Sequence, residues 1–252
     1  MTSRRILVTG SSRGIGRAVA EAFAAAGATV AIHYRDSAGL AAEVLAGLPG
    51  TGHVVVQADI SDADAVRAMV DSAAEQLGGL DVLVNNAASY GRAAHQISEV
   101  SYEHWQEVWQ STIGLNLIGA ANVTWCAVQH MIPAGGGRIV NVSSRGAFRG
   151  EPGQPAYGAS KAGLNAMGQS LAVALAPYNI TVAAVAPGFV QTDMAAAHLR
   201  GERGAEIRAQ SPFGRVARPE EIAAAVCYLA SPEAEWASGA ILDLNGASYL
   251  RT

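Results

Sequence analysis

The chain has 252 residues, half of them hydrophobic, and a formal net charge of −4. That length suits one α/β domain with a sizeable core, and without a Lys/Arg-rich block the charge argues against a nucleic-acid partner and for a small-molecule one. Only two cysteines occur, Cys126 and Cys227, which excludes a disulfide scaffold and reads as two inert thiols in a reducing compartment.

The N-terminal MTSRRILVTG lacks an apolar core long enough for a secretory signal, and no stretch approaches the ~20 uninterrupted apolar residues of a membrane span. A cytoplasmic protein with no membrane partner is expected. The first strand, RRILVTG, runs into a helix, GIGRAVAEAFAAAGA, followed by a strand, TVAIHY, a polar helix-like stretch, and a third strand in HVVVQADI. A helix over DADAVRAMVDSAAEQLG, a strand in LDVLVNN, and a long segment to about Gln129 come next. GRIVNVSS, the helix holding Tyr157, and NITVAAVAPG continue the alternation. From Gln191 to about Arg215 the pattern becomes irregular, with Gly201, Gly204, Pro212 and Gly214. A long loop of this kind reads as a lid over a site, the alternative being a tolerated surface excursion. A helix at PEEIAAAVCYLAS follows, with Pro219 suited to its first turn and Glu220 and Glu221 to the positive end of its dipole. AILDLNG is the last strand. Continuous apolar strands interleaved with helices predict a doubly wound α/β domain with a parallel sheet, single over residues 1–252.

TGSSRGIG, residues 9–16, stands where the first strand meets the first helix. Gly10, Gly14 and Gly16 allow a tight turn and close approach of a pyrophosphate, which free N–H groups at the helix start can bind. The intervening Ser12, Arg13 and Ile15 belong to the same candidate dinucleotide site. A 2′-phosphate needs cations, whereas a bare ribose hydroxyl favours an acidic acceptor at the end of the second strand. If that strand is Thr29–Tyr34, then Arg35 follows it and can converge with Arg13 on a phosphate, which favours NADP(H) over NAD(H). Asp36 would then be a helix N-cap or turn residue; a shift of the strand boundary restores the NAD(H) reading.

TGSSRGIG, the Asp59-Ile60 pair, NNAA at 85–88, Asn116, GRIVNVSS, YGASK and PGFVQT at 187–192 together resemble the short-chain dehydrogenase/reductase family over nearly the whole chain. The resemblance implies a single Rossmann-type domain. It places Asp59 and Ile60 at the adenine, Asn86 and Ala87 beside the adenosine ribose, and Pro187, Gly188, Val190 and Thr192 at the nicotinamide carboxamide. It implies Tyr157 as proton donor, Lys161 on the nicotinamide ribose, and Ser144 rather than Ser143 orienting the carbonyl. Asn116 would hold a relay water; by residue type alone it reads equally as an internally satisfied polar residue in an apolar helix. A dimer face within a homotetramer is also implied, a homodimer being the smaller alternative.

The chemistry is consistent with those roles. Hydride reduction of a carbonyl builds charge on oxygen that must be protonated. Tyr157 and Lys161 at i,i+4 share a helix face, and a nearby ammonium is expected to lower the phenol's pKa. The six histidines, His33, His53, His95, His104, His130 and His198, lack metal-ligand spacing, so no metal is expected. Trp105, Trp109, Trp125 and Trp236 read as core or interface residues.

Ala88 departs from the family's usual glycine, and the stretch near SYGRAAHQISEVSYEHW makes Asn86–Asn116 longer than usual, beside the expected site entrance. The resemblance is closest to 3-oxoacyl-(acyl carrier protein) reductases, through HYR, SPFGRVARPEEIAAAVCYLAS and SGAILDLNGASYLR. Their basic carrier-docking positions are Gly135 and Tyr178 here, leaving Arg200, Arg203 and Arg208 as substitutes or as solvated surface charges. The expectation is an NADPH-dependent carbonyl reductase. NAD-dependent alcohol oxidation and a non-catalytic nucleotide-binding scaffold are the alternatives.

Overall fold

In the first strand, Ile6 and Val8 point to one side of the sheet and Leu7 to the other, as strand alternation demands, and all three are fully buried. The computed structural model describes residues 4–90, 94–196 and 199–251. Among these, β1 (Arg5–Val8), β2 (Thr29–Tyr34), β3 (Val54–Gln57), β4 (Val82–Asn85), β5 (Gly137–Val142), β6 (Ile180–Pro187) and β7 (Ile241–Leu244) form a parallel sheet in the order β3-β2-β1-β4-β5-β6-β7. The helices are α1 (Gly14–Ala25), α2 (Ala38–Gly47), α3 (Ala63–Leu77), α4 (Tyr102–Ile113), α5 (Ala120–Met131), α6 (Pro155–Leu175), α7 (Asp193–Ala196), α8 (Gly201–Ala209) and α9 (Pro219–Leu229). On one face Ile6 and Val8 pack with Val19 and Phe23 of α1 and Val226 of α9. On the other, Leu7 packs with Val70 of α3 and Ala127 of α5. Covering both faces is what permits uninterrupted apolar strands.

Local signals set the element ends. The Asp62 side chain accepts from the Asp64 and Ala65 N–H groups at the start of α3, and Gly78 ends that helix at φ 74°, as side-chain N-caps and left-handed glycines do. Pro219 opens α9, where the Glu221 side chain accepts from Arg218 N at 2.7 Å.

Three expectations need correction. The stretch after β2 is not polar: α2 reads AGLAAEVLAG and buries only Ala41 and Val44. The segment 191–215 is not an irregular loop, since it contains α7 and α8. Its glycines suggested breaks, yet Gly201 sits at the helix start with φ +59°, and Gly204 packs so closely on the Leu199 backbone that a Cβ would collide with it. Asp36 is not a helix N-cap; Ser37 is. His198, Gly91, Arg92 and Ala93 lie outside the described residues.

Helices α4 and α5 are continuous through a π-helical turn, Gly114–Gly119. The resulting helix, Tyr102–Met131, is long and apolar enough to cross a membrane by length and composition, and half of its apolar window is buried inside the protein. It packs on α3 and α6 along its buried side, while Ile118 and Trp125 are exposed. Cys126 is buried and Cys227 partly so; burial raises both thiols, Cys227 to about 11, so both stay protonated and unreactive.

Candidate active site

The strand order reverses direction between β1 and β4, where open α/β sheets form their crevice at the carboxyl ends. The glycine turn after β1 lies there. Gly10 and Gly14 adopt φ +64° and +57°. An added Cβ at Gly10 would stand 2.9 Å from Ala87 Cα, and one at Gly16 would meet Gly10 O and Asn86 Nδ2. Asn86 fastens the turn from the β4 side, its amide donating to Thr9 O at 2.8 Å and Gly10 O at 3.0 Å. The backbone N–H groups of Asn86 and Ala87 both donate to Thr9 Oγ1. Ser12 is buried, and Ile15 packs on the core.

Sequence reading passed over His33. Its ring is 2% exposed. Gly10 N–H donates to Nδ1 at 2.9 Å, so that nitrogen holds a lone pair, and Nε2–H donates to Ala58 O at 3.1 Å. The imidazole thereby joins the glycine turn to the residue before Asp59. A histidine inside an otherwise apolar strand beside a glycine turn was the available signal.

Arg13 is the exposed N-cap residue of α1, whose start has no side-chain cap hydrogen bond and no acid in its first turn. That uncapped start, with a cradle that any side chain would fill, fits a pyrophosphate. β2 does end at Tyr34. Arg35, however, donates through Nε to Asp36 at 2.6 Å, with Asp59 at 3.9 Å, and Arg13 makes no ion pair among the described residues. Arg35 thus lies between two carboxylates. Ile60 is buried. Beyond β6, Gly188 packs on Asn245, Val190 is buried and bridges to Ala217, and Thr192 Cγ2 lies 3.3 Å from where a Gly14 Cβ would stand. The turn after Pro187 thus closes over the glycine turn.

Ser144 leaves the end of β5 in an extended conformation and accepts from Gly146 N at 3.0 Å. Its hydroxyl neighbours the Tyr157 ring: a Cβ added at Gly146 would stand 3.3 Å from Ser144 Oγ and 3.7 Å from Tyr157 Cε1. Tyr157 and Lys161 stand one turn apart on α6, with the ammonium 5.8 Å from the Tyr157 ring centroid and Nζ donating to Val142 O at 2.8 Å. The expected lowering of the phenol is not seen here. Burial pushes Tyr157 up to about 12, against a smaller opposing effect of Ser144, and burial pulls Lys161 down to about 8. Desolvation disfavours both charged forms.

Asn116 lies in the π turn, 1% exposed. Its Oδ1 accepts from Ser89 N at 2.8 Å, and Nδ2 donates to Ser89 O and Ser160 Oγ. Ser160 in turn donates to Tyr157 O at 2.7 Å. Asn116 is thus internally satisfied, in the kind of helix bulge often found at functional sites. The long segment before α4 reaches the same place. Tyr90 packs edge-on against Tyr157 with centroids 4.8 Å apart and donates to Glu151 at 2.7 Å, while His95 Nε2 accepts from Ala156 N at the start of α6.

A doubly wound sheet with a glycine turn at its switch point and a serine, tyrosine and lysine beside it defines the dinucleotide-binding α/β oxidoreductases. Residues 10–246 match the model of the family described as Enoyl-(Acyl carrier protein) reductase. The chain is 37% identical over 250 residues to the 3-oxoacyl-[acyl-carrier-protein] reductase of Staphylococcus aureus, covering 98% of this chain and 99% of that one. It is 40% identical over 247 residues to the cis-4-hydroxycyclohexanecarboxylate dehydrogenase of Sinomonas cyclohexanicum, with 96% and 95% covered. A short chain dehydrogenase from Burkholderia cenocepacia, solved in complex with NADP, superposes with a TM-score of 0.87 at 36% identity over 97% of each chain. The chain belongs to the short-chain dehydrogenase/reductase family. It is an oxidoreductase.

Proposed function

We propose that this enzyme reduces a ketone or aldehyde to an alcohol with NADPH. The observation that carries the reading is the meeting of the Ser144 hydroxyl, the Tyr157 phenol and the Lys161 ammonium at the carboxyl end of β5. Gly10, Gly14, Gly16 and the start of α1 would hold the pyrophosphate, Asp59 and Ile60 the adenine, Asn86 and Ala87 the adenosine ribose, and Pro187, Gly188, Val190 and Thr192 the carboxamide. NADPH, when bound, supplies the hydride. Ser144 donates to the carbonyl oxygen and fixes its position. Tyr157 gives that oxygen its proton; at about 12 the phenol is fully protonated at neutral pH, as a donor must be. Lys161 would hold the nicotinamide ribose, stabilise the phenolate left behind and pass it a proton, and a water held at Asn116 would return that proton to Lys161.

Tyr157→Phe is expected to abolish turnover, leaving less than a few per cent, while NADPH binding measured by fluorescence persists. Retained turnover would remove Tyr157 from the role of donor.

Asp36 and Asp59 around Arg35 favour a second reading, NAD-dependent oxidation of an alcohol, because a carboxylate suits a bare ribose hydroxyl. Titrating both cofactors separates the two, and Arg35→Asp should move preference toward NAD(H) if Arg35 holds the phosphate. A 3-oxoacyl-(acyl carrier protein) substrate stands as a narrower alternative, weakened by Gly135 and by the exposed Tyr178. We further propose a single domain over 1–252, a lid at about 191–215, a cytoplasmic location and a homotetramer.

A further inference from the structure

Arg145 directly follows Ser144 and is 4% exposed. One guanidinium nitrogen donates to Ser248 Oγ at 2.7 Å and the other to Gln210 Oε1 at 2.8 Å, with the Phe189 ring centroid 5.0 Å away. Arg149 donates to the same Gln210 oxygen at 3.0 Å. Among the described residues neither arginine makes an ion pair, and Glu151 acts on Arg145 only through space. A guanidinium does not deprotonate in proteins, so a buried positive charge stands here without a contacting anion, an arrangement that costs heavily. As a mere tether to Ser248 and Gln210, a neutral side chain could make the same two bonds without that cost.

Arg145 lines a cavity of about 300 Å³ under α8, with Phe189, Ile207 and Phe213 among its apolar walls. At about 30 Å³ per water it has room for roughly ten waters, or a small organic acid. The other charges lining it, Arg215 and Glu221, pair with each other at 2.7 Å. The cavity is therefore mainly apolar, with Ser211, Asn245 and Ser248 as neutral polar groups in its wall, and positive at Arg145.

We propose that this cavity binds an organic molecule with an apolar body and a carboxylate, the carboxylate being taken by the Arg145 guanidinium with Arg149 adding attraction. A carboxylate accepts a guanidinium's paired N–H groups and supplies the missing counter-charge. Where the acid is the substrate itself, the inference rests on the carbonyl-reductase reading and on one ligand extending out of the cavity to Ser144, which precedes Arg145 in the chain but does not line the cavity. A free carboxylate binding beside the reaction is the other source.

The test uses 4-oxopentanoate, its methyl ester, and butanoate, which has no ketone. Butanoate and 4-oxopentanoate should each raise the Tm of the wild-type protein by about 2 °C or more at saturating concentration, and the ester should not. If the acid is the substrate, kcat/KM for 4-oxopentanoate exceeds that for the ester at least tenfold, butanoate competes with it, and the acid-to-ester ratio falls toward one in Arg145→Met and recovers partly in Arg145→Lys. If the site takes a free carboxylate, butanoate alters kcat without competing, and its Tm shift is lost in Arg145→Met. No shift by either acid and a ratio near one in the wild type overturn the proposal, and that comparison needs no variant to fold. Equal reduction of acid and ester without a shift leaves the reductase reading standing and this site refuted. An Arg145-dependent shift without turnover of either compound upholds this site as one for a free carboxylate and overturns the reading of 4-oxopentanoate-like acids as the substrate.

Discussion

At His33 one proton decides whether the dinucleotide turn is braced. Burial holds the imidazole below its ordinary pKa, although Ala58 O and the Asp59 carboxylate act the other way, and protonation would require Nδ1 to give up the bond from Gly10 N–H. The unfolded chain takes that proton near pH 6.5, the folded chain only at lower pH. Between those values the unfolded state binds more protons, so stability rises with pH. The contribution is complete above about pH 6.5 and lost as pH falls through the folded value. Tm and dinucleotide affinity should decline together on the acid side. His33→Asn, whose amide oxygen can accept from Gly10 without titrating, should flatten that decline; an acid limb unchanged in the variant would assign it to another group. Lys161 carries the opposite lesson. Its buried ammonium opposes folding at neutral pH, a cost that fits the catalytic role proposed for it.

At the π turn between α4 and α5 an element's irregularity positions a candidate site residue. It brings Asn116 onto Ser89 and Ser160, and at its end Gly119 lies against the strand-end turn that holds Ile60. A Cβ at Gly119 would stand 2.5 Å from Ile60 O. Gly119→Ala is therefore expected to cost about 1–3 kcal/mol by overpacking and to raise the Kd for the dinucleotide, measured by denaturant unfolding and fluorescence titration. Unchanged affinity would separate the helix from the adenine side of the site. The Gly204 contact in α8 follows the same physics. There too a glycine that looked like a break permits close approach, which spacing alone does not reveal.

Over the whole molecule, β7 ends the sheet with one unpaired edge, a feature that proteins cover or blunt. Nearby elements carry Trp236, 99% exposed, and Tyr228, 53% exposed. A proposed subunit contact would bury both. Trp236→Glu should yield a smaller species than the wild type in sedimentation, at equal loading; a single unchanged mass would place the contact elsewhere.

Apolar runs that continue rather than alternate made the two-sided sheet legible, and the step of four residues made it legible that Tyr157 and Lys161 share a face of α6. The glycine turn after β1 was readable because its backbone geometry requires glycine at Gly10 and Gly14. These are local properties, written in neighbouring residues. The bond between His33 and Gly10, the internal satisfaction of Asn116, the carboxylates around Arg35, the buried charge of Arg145 and the upward shift of Tyr157 were decided only by tertiary structure. Each depends on which distant segments meet and on how much water their meeting removes, and neither is set by a residue's neighbours in sequence.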